Sequence, residues 1–454
     1  MSIRARQFFF AILAALFIIS APLVILYATG YRYNFKKKLI EKTGSLVLDS
    51  APKKARVLIN GEDARKITPA RFARLLPDDY RIRMEKTGYH PWEKTLPVTS
   101  KHTTFATDVT LFKIASPETV WEGRISKAAP SPDGGKIAII SPGAEDETKS
   151  DDRLIAFSLS KPEPKIIFSL AKTRILDALW SPDGENILIK TEGAGGQRFF
   201  IVNPASGEQN QINMTAKQAF SELVWGTRSD ILFGTVKKNN GYAIYKLNPR
   251  SAGPAELLGL GGAAIYSSKQ SIYTIAGDKN GSRLLELAAD KAASPREILR
   301  LRPGKYKFLP SPENILTVVN EEEPRMYVIS PSAEDPVILE ERAHIGSWSP
   351  SDKKLIITDN FELQVFEPEL NHIKFITRYG KQIKKALWID SEAQVVLQFD
   401  DSILGLELDS RGERYSPTLA EAEMIFDLFF SKDGETAYFV SGEREMKLFK
   451  LLIQ

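Results

Sequence analysis

The hydrophobic and polar positions of the chain form one long apolar run and then many short alternating segments. In residues 8–28, only Ser20 and the Tyr27 hydroxyl interrupt the apolar positions. A helix rises about 1.5 Å per residue, so this run is long enough to span a hydrocarbon core of ~30 Å. Pro22 fits, because membrane helices accept proline. The pattern predicts one transmembrane helix followed by material rich in β-strands.

The flanks of this run bear on whether it is retained and how it is oriented. A cleaved signal peptide is the alternative, but the run is long for one and no small-x-small cleavage site follows it. The positive-inside rule favours a cytoplasmic C-terminal side, although long domains translocate largely regardless of flanking charge. We expect a cytoplasmic tail (residues 1–7), a signal anchor (8–28) and a juxtamembrane linker (29–43), with the domains outside. The flanking cations are Arg4 and Arg6 before the run, and Arg32, Lys36, Lys37, Lys38 and Lys42 after it.

Lysines 36–38 form the densest positive cluster of that flank. Such a cluster contacts anionic headgroups in some proteins. We expect it here to be a solvated juxtamembrane flank.

Residues 44–113 alternate apolar and polar positions in short stretches, which predicts a small β-domain. Asn60-Gly61 lies between two such stretches and is a strong hairpin signal, because both residue types tolerate positive φ. Pro69, Pro77 and Gly88 punctuate the later connections.

The order of turns in this block resembles the PEGA domain family. Lys53-Lys54 and Asp78-Asp79 depart from the family pattern, at exposed turn positions. The resemblance implies an extracytoplasmic β-sandwich with a spacer or adhesive role and no chemistry. Tyr89 and Trp92 are expected to close its core, a sugar-stacking pair being the alternative. The matching segments are Ser50-Ala51-Pro52-Lys53-Lys54-Ala55, Val57-Leu58-Ile59-Asn60-Gly61, Thr68-Pro69, Leu76-Pro77-Asp78-Asp79-Tyr80 and Gly88-Tyr89.

Residues 117–454 repeat a unit of about 40 residues, which is typical of a propeller or solenoid. Each unit has a short strand that ends in a large residue, a tight turn, and further strands. Four of the six tryptophans occupy this one position. The repeat starts are Pro130, Trp180, Trp225, Tyr266, Pro310, Trp348, Trp388 and Phe430.

The turn of the repeat is clearest as Ser-Pro-Asp-Gly, which begins at Ser131, Ser181 and Ser431. Proline presets φ, aspartate caps the turn and glycine takes the left-handed position. The pattern resembles TolB-like and WD-repeat-like propellers. We expect eight blades, or seven if the weakest unit, around Tyr266, is out of register. The final repeat lacks an outer strand, so residues 118–122 are predicted to pair with it and close the ring.

The composition narrows the chemistry. The chain has no cysteine, which excludes disulfides and thiolate sites, and its net charge of +4 does not suggest a nucleic-acid protein. The four histidines have no metal-pair spacing. We find no nucleophile elbow, zinc-protease motif or phosphate loop, and expect no catalytic, metal or cofactor-binding residue. The histidines are His90, His102, His344 and His372.

Two local features are weak candidates for chemistry. The cluster Gly193, Gly195 and Gly196 lies between predicted strands, which argues against a dinucleotide site. Residues 321–323 are three glutamates before Pro324. Paired catalytic carboxylates are conceivable there, but a solvated loop tip is the expected reading.

Together these patterns predict a mainly β chain with an N-terminal transmembrane helix, a PEGA-type domain (44–113) and a β-propeller (117–454). We expect a bacterial cell-membrane protein with two partners: the lipid bilayer, through the helix, and an envelope protein or glycan at a propeller face. The loops at residues 143–152, 192–197 and 320–324 are expected to be long and to form that surface. A propeller hydrolase or lyase with a site facing the channel is the alternative function.

Overall fold

The structure is a computed structural model that describes residues 3–143, 151–212, 219–239, 241–250, 254–278, 281–442 and 445–454. The chain divides into two compact units. Unit 1 comprises Met1–Ile114, Leu406–Pro417 and Gln454, and unit 2 comprises Ala115–Gly405 and Thr418–Ile453. The sequence suggested a single division between residues 113 and 117. The structure adds a segment from late in the chain, Leu406–Pro417, to unit 1.

Unit 1 begins with the helix Ile3–Ala28. Its segment Arg6–Ala28 is long and apolar enough to cross a membrane, a test that a signal sequence also passes. A hairpin of Tyr31–Asn34 and Leu39–Lys42 follows, where the sequence suggested only a linker. The helix fits a single-pass membrane anchor.

The remainder of unit 1 is a sandwich of two sheets, as expected. Burial alternates along its strands, with Leu46, Leu48 and Leu96 fully buried. Asn60 and Gly61 have φ of 52° and 86°, which confirms the predicted hairpin turn. One sheet pairs Glu62–Ile67, Arg56–Ile59, Asp78–Glu85 and Trp92–Val98, and the other pairs Ala70–Leu75, Gly44–Ala51 and Thr103–Thr110.

Unit 2 contains eight four-stranded antiparallel sheets among its described residues, which is consistent with eight blades. First strands of neighbouring sheets contact one another, so they are the innermost strands. From the first strand outward, the sheets are blade 1, Lys127–Pro130, Lys136–Ser141, Arg153–Ser158, Lys165–Ser169; blade 2, Thr173–Trp180, Ile187–Gly193, Gly196–Val202, Gln209–Gln211; blade 3, Phe220–Trp225, Leu232–Lys238, Gly241–Leu247, Glu256–Gly261; blade 4, Ala264–Ser267, Ser271–Asp278, Gly281–Ala288, Arg296–Leu301; blade 5, Tyr306–Leu309, Leu316–Asn320, Arg325–Ile329, Val337–Glu341; blade 6, Ile345–Trp348, Leu355–Thr358, Glu362–Glu367, His372–Arg378; blade 7, Lys385–Trp388, Gln394–Gln398, Ser402–Glu407, Thr418–Glu421; and blade 8, Ile425–Phe430, Thr436–Ser441, Met446–Leu452, Glu118–Gly123. A short 3-10 turn, Pro368–Leu370, lies in blade 6.

Blade 8 closes the ring as the sequence predicted. Its outermost strand, Glu118–Gly123, comes from the start of unit 2 and pairs antiparallel with the last strand of the chain, Met446–Leu452. Lys447 Nζ also lies 2.8 Å from Glu122 Oε1. The strand edge that the final repeat would otherwise expose is thereby paired.

The fourth repeat is shifted by one residue from the sequence assignment. The last residue of its first strand is Ser267, which pairs with Ile272, so Tyr266 lies one position earlier than the tryptophans of other blades. Tyr266 instead stacks on Phe308 of blade 5 at a centroid distance of 5.5 Å. The weak repeat signal there therefore reflects a real departure from the aromatic position.

Candidate functional site

The tryptophans at the repeat position link blades 2, 3, 6 and 7 to the blade before each of them. The indole Nε1 atoms of Trp180, Trp225 and Trp388 donate to the carbonyls of Ala129, Leu179 and Ser347, at 2.8, 3.0 and 2.8 Å. In blade 6, Trp348 Nε1 donates to the Thr317 hydroxyl at 2.8 Å. The first three bonds join the first strands of neighbouring blades, and the fourth reaches the second strand of blade 5. The linked blades form a rigid support for the residues at their ends.

The Ser-Pro-Asp-Gly turns are formed as predicted. In blade 1, Ser131 Oγ donates to Asp133 Oδ1 at 2.6 Å, and Gly134 has φ of +64°. The Ser131 hydroxyl and the Gly135 N–H lower the pKa of Asp133 by stabilising its carboxylate. Hydrogen bonds within the turn therefore satisfy these groups, and their role is structural.

Most charged residues of the eight first strands occupy one equivalent position, and we call the eight residues at this position the inner ring. In each blade this position lies three residues before the residue that precedes the turn between the first and second strands. The carboxylates of this ring are already neutralised: Asp177 pairs with Lys127, and Asp427 with Lys385 at 2.8 Å. Glu222 pairs with Lys190 of the neighbouring second strand at 2.7 Å. The ring residues are Lys127, Asp177, Glu222, Ala264, Lys307, Ile345, Lys385 and Asp427.

Immediately before the ring, several inner strands contain a β-bulge. The bulged residues of blades 2, 3 and 8 are Leu176, Ser221 and Phe426, each skipped in the pairing with the second strand. Bulges of this kind redirect a side chain and occur often beside functional sites. Leu176 and Phe426 are 38% and 46% exposed although both are large and apolar.

The same bulge recurs in three further blades. The N–H groups of Ser126, His344 and Lys384 donate to the carbonyls of Ile140, Thr358 and Gln398, while the next residue pairs opposite those same partners. All six bulges lie where the first strands begin, at the end that also carries the hairpins between second and third strands. We call this end of the blades the bulge face.

A cleft of about 1510 Å³ opens beside blade 4. Its position follows from side-chain size, because the blade 4 residues at and before the ring are Gly262, Ala263 and Ala264. A Cβ atom on Gly262 would lie 1.6 Å from the Ile275 carbonyl oxygen, so the backbone approach there requires glycine. Small residues thus leave open a space that charged side chains fill in other blades.

Two tyrosines of this cleft, Tyr266 and Tyr306, are engaged in structural contacts. Burial raises the pKa of Tyr306 to about 12, and its hydroxyl donates to the Arg302 carbonyl at 2.9 Å. Burial also raises the pKa of Tyr266, whose hydroxyl donates to the Ser311 carbonyl at 3.3 Å. Both phenols stay protonated near neutral pH, and their protons are committed to backbone carbonyls.

Two of the three loops expected to be long are tight hairpins, so that prediction was wrong for them. Gly193 pairs with Gly196, which leaves a two-residue turn. Asn320 pairs with Arg325, and its side-chain oxygen accepts the N–H groups of Glu322 and Glu323. In the third loop, residues 144–150 lie outside the described residues.

The acidic run and the aromatic pair singled out by sequence have structural surroundings. Glu321 Oε2 lies 2.8 Å from Lys305 Nζ, in the hairpin of blade 5. Trp92 is fully buried in unit 1, so it closes the core and offers no face for sugar stacking. Tyr89 is half-buried and forms an isolated antiparallel β-bridge with Lys113.

The histidines were the other residues considered as ligands. Burial lowers the pKa of His90. No group of metal-ligating side chains occurs in the described ranges.

Sequence reasoning missed a buried ionic cluster within unit 1, the unit that includes Leu406 and Glu407, the last two residues of the third strand of blade 7. Lys94 is fully buried and its Nζ lies 2.6 Å from Glu407 Oε2, while Trp92 Nε1 donates to Glu407 Oε1 at 3.2 Å. Asp409 supplies its carbonyl oxygen to Lys94 at 3.0 Å. Burial raises the pKa of Asp409, but hydrogen bonds from Arg411 outweigh burial and lower it to about 2. The sequence separation leaves no local signal from which this cluster could have been predicted.

Comparison with known proteins agrees with the two folds described above. The PEGA domain family model matches residues 43–114. Unit 2 is similar to the Dos1 propeller (TM-score 0.53, 13% identity, covering 74% of this chain and 95% of that one). It is also similar to the C-terminal WD40 domain of Sif2 (TM-score 0.51, 13% identity, covering 74% of this chain and 99% of that one).

A third similar structure is oligogalacturonate lyase in complex with manganese, at a TM-score of 0.42 and 12% identity, covering 73% of this chain and 98% of that one. At these identities the likeness shows the fold alone. No curated protein sequence matches the chain. The chain therefore combines an N-terminal apolar helix with a PEGA domain and a β-propeller fold.

Proposed function

We propose that this chain is a membrane-anchored protein of the bacterial cell envelope whose propeller is a non-catalytic binding module. The bulge face contacts an envelope protein, and the PEGA domain serves as the spacer next to the membrane. The observation that carries this proposal is the repeated bulge, which exposes Leu176 and Phe426 at equivalent positions of blades 2 and 8.

The physical case rests on apolar side chains held by a rigid frame. Water-exposed leucine and phenylalanine gain free energy when a partner covers them, at about 25 cal/mol per Å² of apolar area. Because inner strands are paired on one edge and linked by indole hydrogen bonds, little conformational entropy is lost on binding. Met424, 41% exposed, directly precedes the inner strand of blade 8 and adds to the apolar area.

The inner ring supports binding over catalysis. General acid–base chemistry needs a group that is free to exchange a proton with substrate. The three carboxylates of the ring are instead paired with lysines, and Tyr266 and Tyr306 of the cleft donate to backbone carbonyls. A hydrolase or lyase remains the second candidate, because the cleft is large enough to admit a substrate and Lys307 lines it.

We also propose that the N-terminus is cytoplasmic and that the PEGA domain and propeller are outside the cell membrane. The resemblance to PEGA domains, which are extracytoplasmic modules, supports this orientation. The flanking charges favour the opposite one, but long domains translocate largely regardless of flanking charge. Protease added to intact cells with a permeable outer surface should remove the propeller. Full protection under those conditions would mean the opposite orientation.

The binding proposal is tested by site-specific photocrosslinking of the full chain in cells. A photoreactive residue replaces Leu176, Phe426 or, as a control, Phe375, an exposed residue on the outermost strand of blade 6. We expect one shared crosslinked protein from positions 176 and 426, and none from position 375. The double variant L176S/F426S should lose that complex, while F375S keeps it.

The opposite results are equally clear. Absence of a crosslinked protein at both bulge positions, or identical products at position 375, would remove support for the bulge face as a protein-binding surface. Crosslinking to glycan would reassign the partner class. Turnover of a glycan or peptide by the purified chain, lost in K307A but kept in L176S/F426S, would establish the catalytic alternative.

A further inference from the structure

The end of the N-terminal helix carries a group of cations separate from the propeller. The Arg32 guanidinium lies 3.6 Å from the centre of the Tyr27 ring, and that of Arg74 lies 5.7 Å from the same ring. Lys42 Nζ lies 5.9 Å from the centre of the Tyr31 ring. We call Arg32, Lys42 and Arg74 the cation collar. Its centre is Tyr27, one residue before the helix ends.

Local contacts fix the collar against the last turn of the helix. Arg32 Nη1 donates to the carbonyls of Tyr27 and Tyr31 at 3.0 and 2.8 Å. Carbonyls at a helix C-terminus carry a partial negative charge that favours such a cation. The N–H and hydroxyl of Thr43 both donate to the Gly30 carbonyl, at 2.9 and 2.8 Å. The hairpin that bears Arg32 and Lys42 is therefore held at the helix end.

Arg74 reaches the collar through a strained backbone. The pairing of Gly44–Ala51 with Ala70–Leu75 skips Arg74, which is a β-bulge with φ of +64°. That conformation is unfavourable for residues other than glycine. Strain of this kind is concentrated at functional sites, and bulges redirect side chains. Here the bulge brings a second guanidinium to a ring that already has one.

The collar has no internal counter-ion. Within the described residues, no carboxylate lies within ion-pair distance of Arg32, Lys42 or Arg74, whereas two tip lysines of the same hairpin are paired. Lys36 pairs with Asp78 at 3.1 Å and Lys37 with Glu41 at 3.3 Å. The hydrogen bond from Lys36 lowers the pKa of Asp78. The lysine cluster that is conspicuous in the sequence is thus partly neutralised, while the collar is not.

We propose that the cation collar binds the phosphate of an anionic phospholipid in the leaflet where the helix ends. The segment Arg6–Ala28 has 23 residues and is about 35 Å long, so Tyr27 lies at headgroup level if the helix spans a core of ~30 Å. Tyrosine prefers that level, and arginine binds phosphate with two parallel hydrogen bonds. The lipid phosphate supplies the counter-ion that offsets repulsion between the two guanidinium groups. This inference is independent of the propeller's partner.

The test uses the full chain reconstituted in nanodiscs that contain a defined mixture of phosphatidylcholine and phosphatidylglycerol. After exchange into detergent, mass spectrometry measures the ratio of the two lipids that stay bound. Wild type should be enriched in phosphatidylglycerol. Each cation near an anionic surface contributes about a fivefold factor in affinity, so R32Q/K42Q/R74Q should lower retention on the order of a hundredfold and return the ratio to that of the bulk.

The matched control is K36Q/K37Q/K38Q, which also removes three positive charges, all from the hairpin that bears Arg32 and Lys42. We expect it to keep the enrichment, and R74K, which preserves charge, to keep most of it. Circular dichroism checks that each variant is folded. The proposal is overturned if wild type shows no enrichment in phosphatidylglycerol. It is also overturned if K36Q/K37Q/K38Q loses as much enrichment as R32Q/K42Q/R74Q, since general electrostatics would then explain binding.

Discussion

The buried pair of Lys94 and Glu407 in unit 1 makes a quantitative prediction about what holds the sandwich to its late segment, Leu406–Pro417. Their side chains are 0% and 6% exposed, so neither charge is solvated by bulk water. Replacing Lys94 with methionine leaves the carboxylate of Glu407 with only the Trp92 N–H as a donor. Removing one partner of such a pair costs about 3–5 kcal/mol.

The matching change on the other side is Glu407→Gln, which keeps an acceptor for Trp92. It leaves Lys94 with the Asp409 carbonyl and, at 3.5 Å, the Asp409 carboxylate. We expect it to cost less than Lys94→Met, at roughly 1–3 kcal/mol. The double variant removes both buried charges together, so it should be more stable than the sum of the single changes predicts by at least about 1 kcal/mol.

Hydrogen exchange of the full chain measures these values locally. Amides of Trp92–Val98 should exchange roughly two to four orders of magnitude faster in Lys94→Met, because each 1.4 kcal/mol is about tenfold in opening. Arg81→Met is the control, since it breaks a pair between Arg81, largely exposed, and Glu93 on the neighbouring strand. That change should shift exchange by less than about 1 kcal/mol. Equal effects of the two substitutions, or strict additivity in the double variant, would refute the reasoning.

Three further predictions follow from particular contacts. Deleting residues 117–123 removes the outermost strand of blade 8 and should lower the melting temperature sharply; an unchanged melting curve would contradict ring closure. Trp388→Phe removes the bond to the Ser347 carbonyl and should destabilise unit 2 by about 1–3 kcal/mol in urea unfolding, more than Trp121→Phe, whose indole donates to no described residue. The pKa of Asp409 is depressed to about 2, so its contribution is full above its ordinary value near 3.8 and is lost as pH falls from there through 2; exchange in unit 1 should accelerate over that window in wild type and less in Asp409→Asn.

The repeat architecture was accessible from sequence because its signals are local. Ser131-Pro132-Asp133-Gly134 encodes its own turn, and a tryptophan before such a turn marks the end of an inner strand. Closure followed from counting strands in the last repeat. The predicted start of the fourth repeat was one residue too early. The aromatic side chain of Tyr266 was taken as the residue before the turn, whereas the structure has Ser267 at that position.

The functional features were less accessible because they depend on pairing between strands. Whether Leu176 is bulged depends on which residues of the second strand oppose Ile175 and Asp177, and no spacing in the sequence reports this. Charged and glycine-rich residues at 192–197 suggested an open loop, yet the same residues suit a tight hairpin with Gly196 at φ of +84°.

The collar shows most clearly how a sequence pattern and a structure can assign a surface differently. Sequence draws attention to three adjacent lysines, because charge density along the chain is easy to see. Structure shows that Lys36 and Lys37 have carboxylate partners, while Arg74, distant in sequence, is brought to Tyr27 by a bulge. What attracts an external anion is uncompensated charge in space, not charge density along the chain. A cation without a carboxylate partner, held in place by a strained backbone, is therefore the better guide to where we expect this protein to bind lipid.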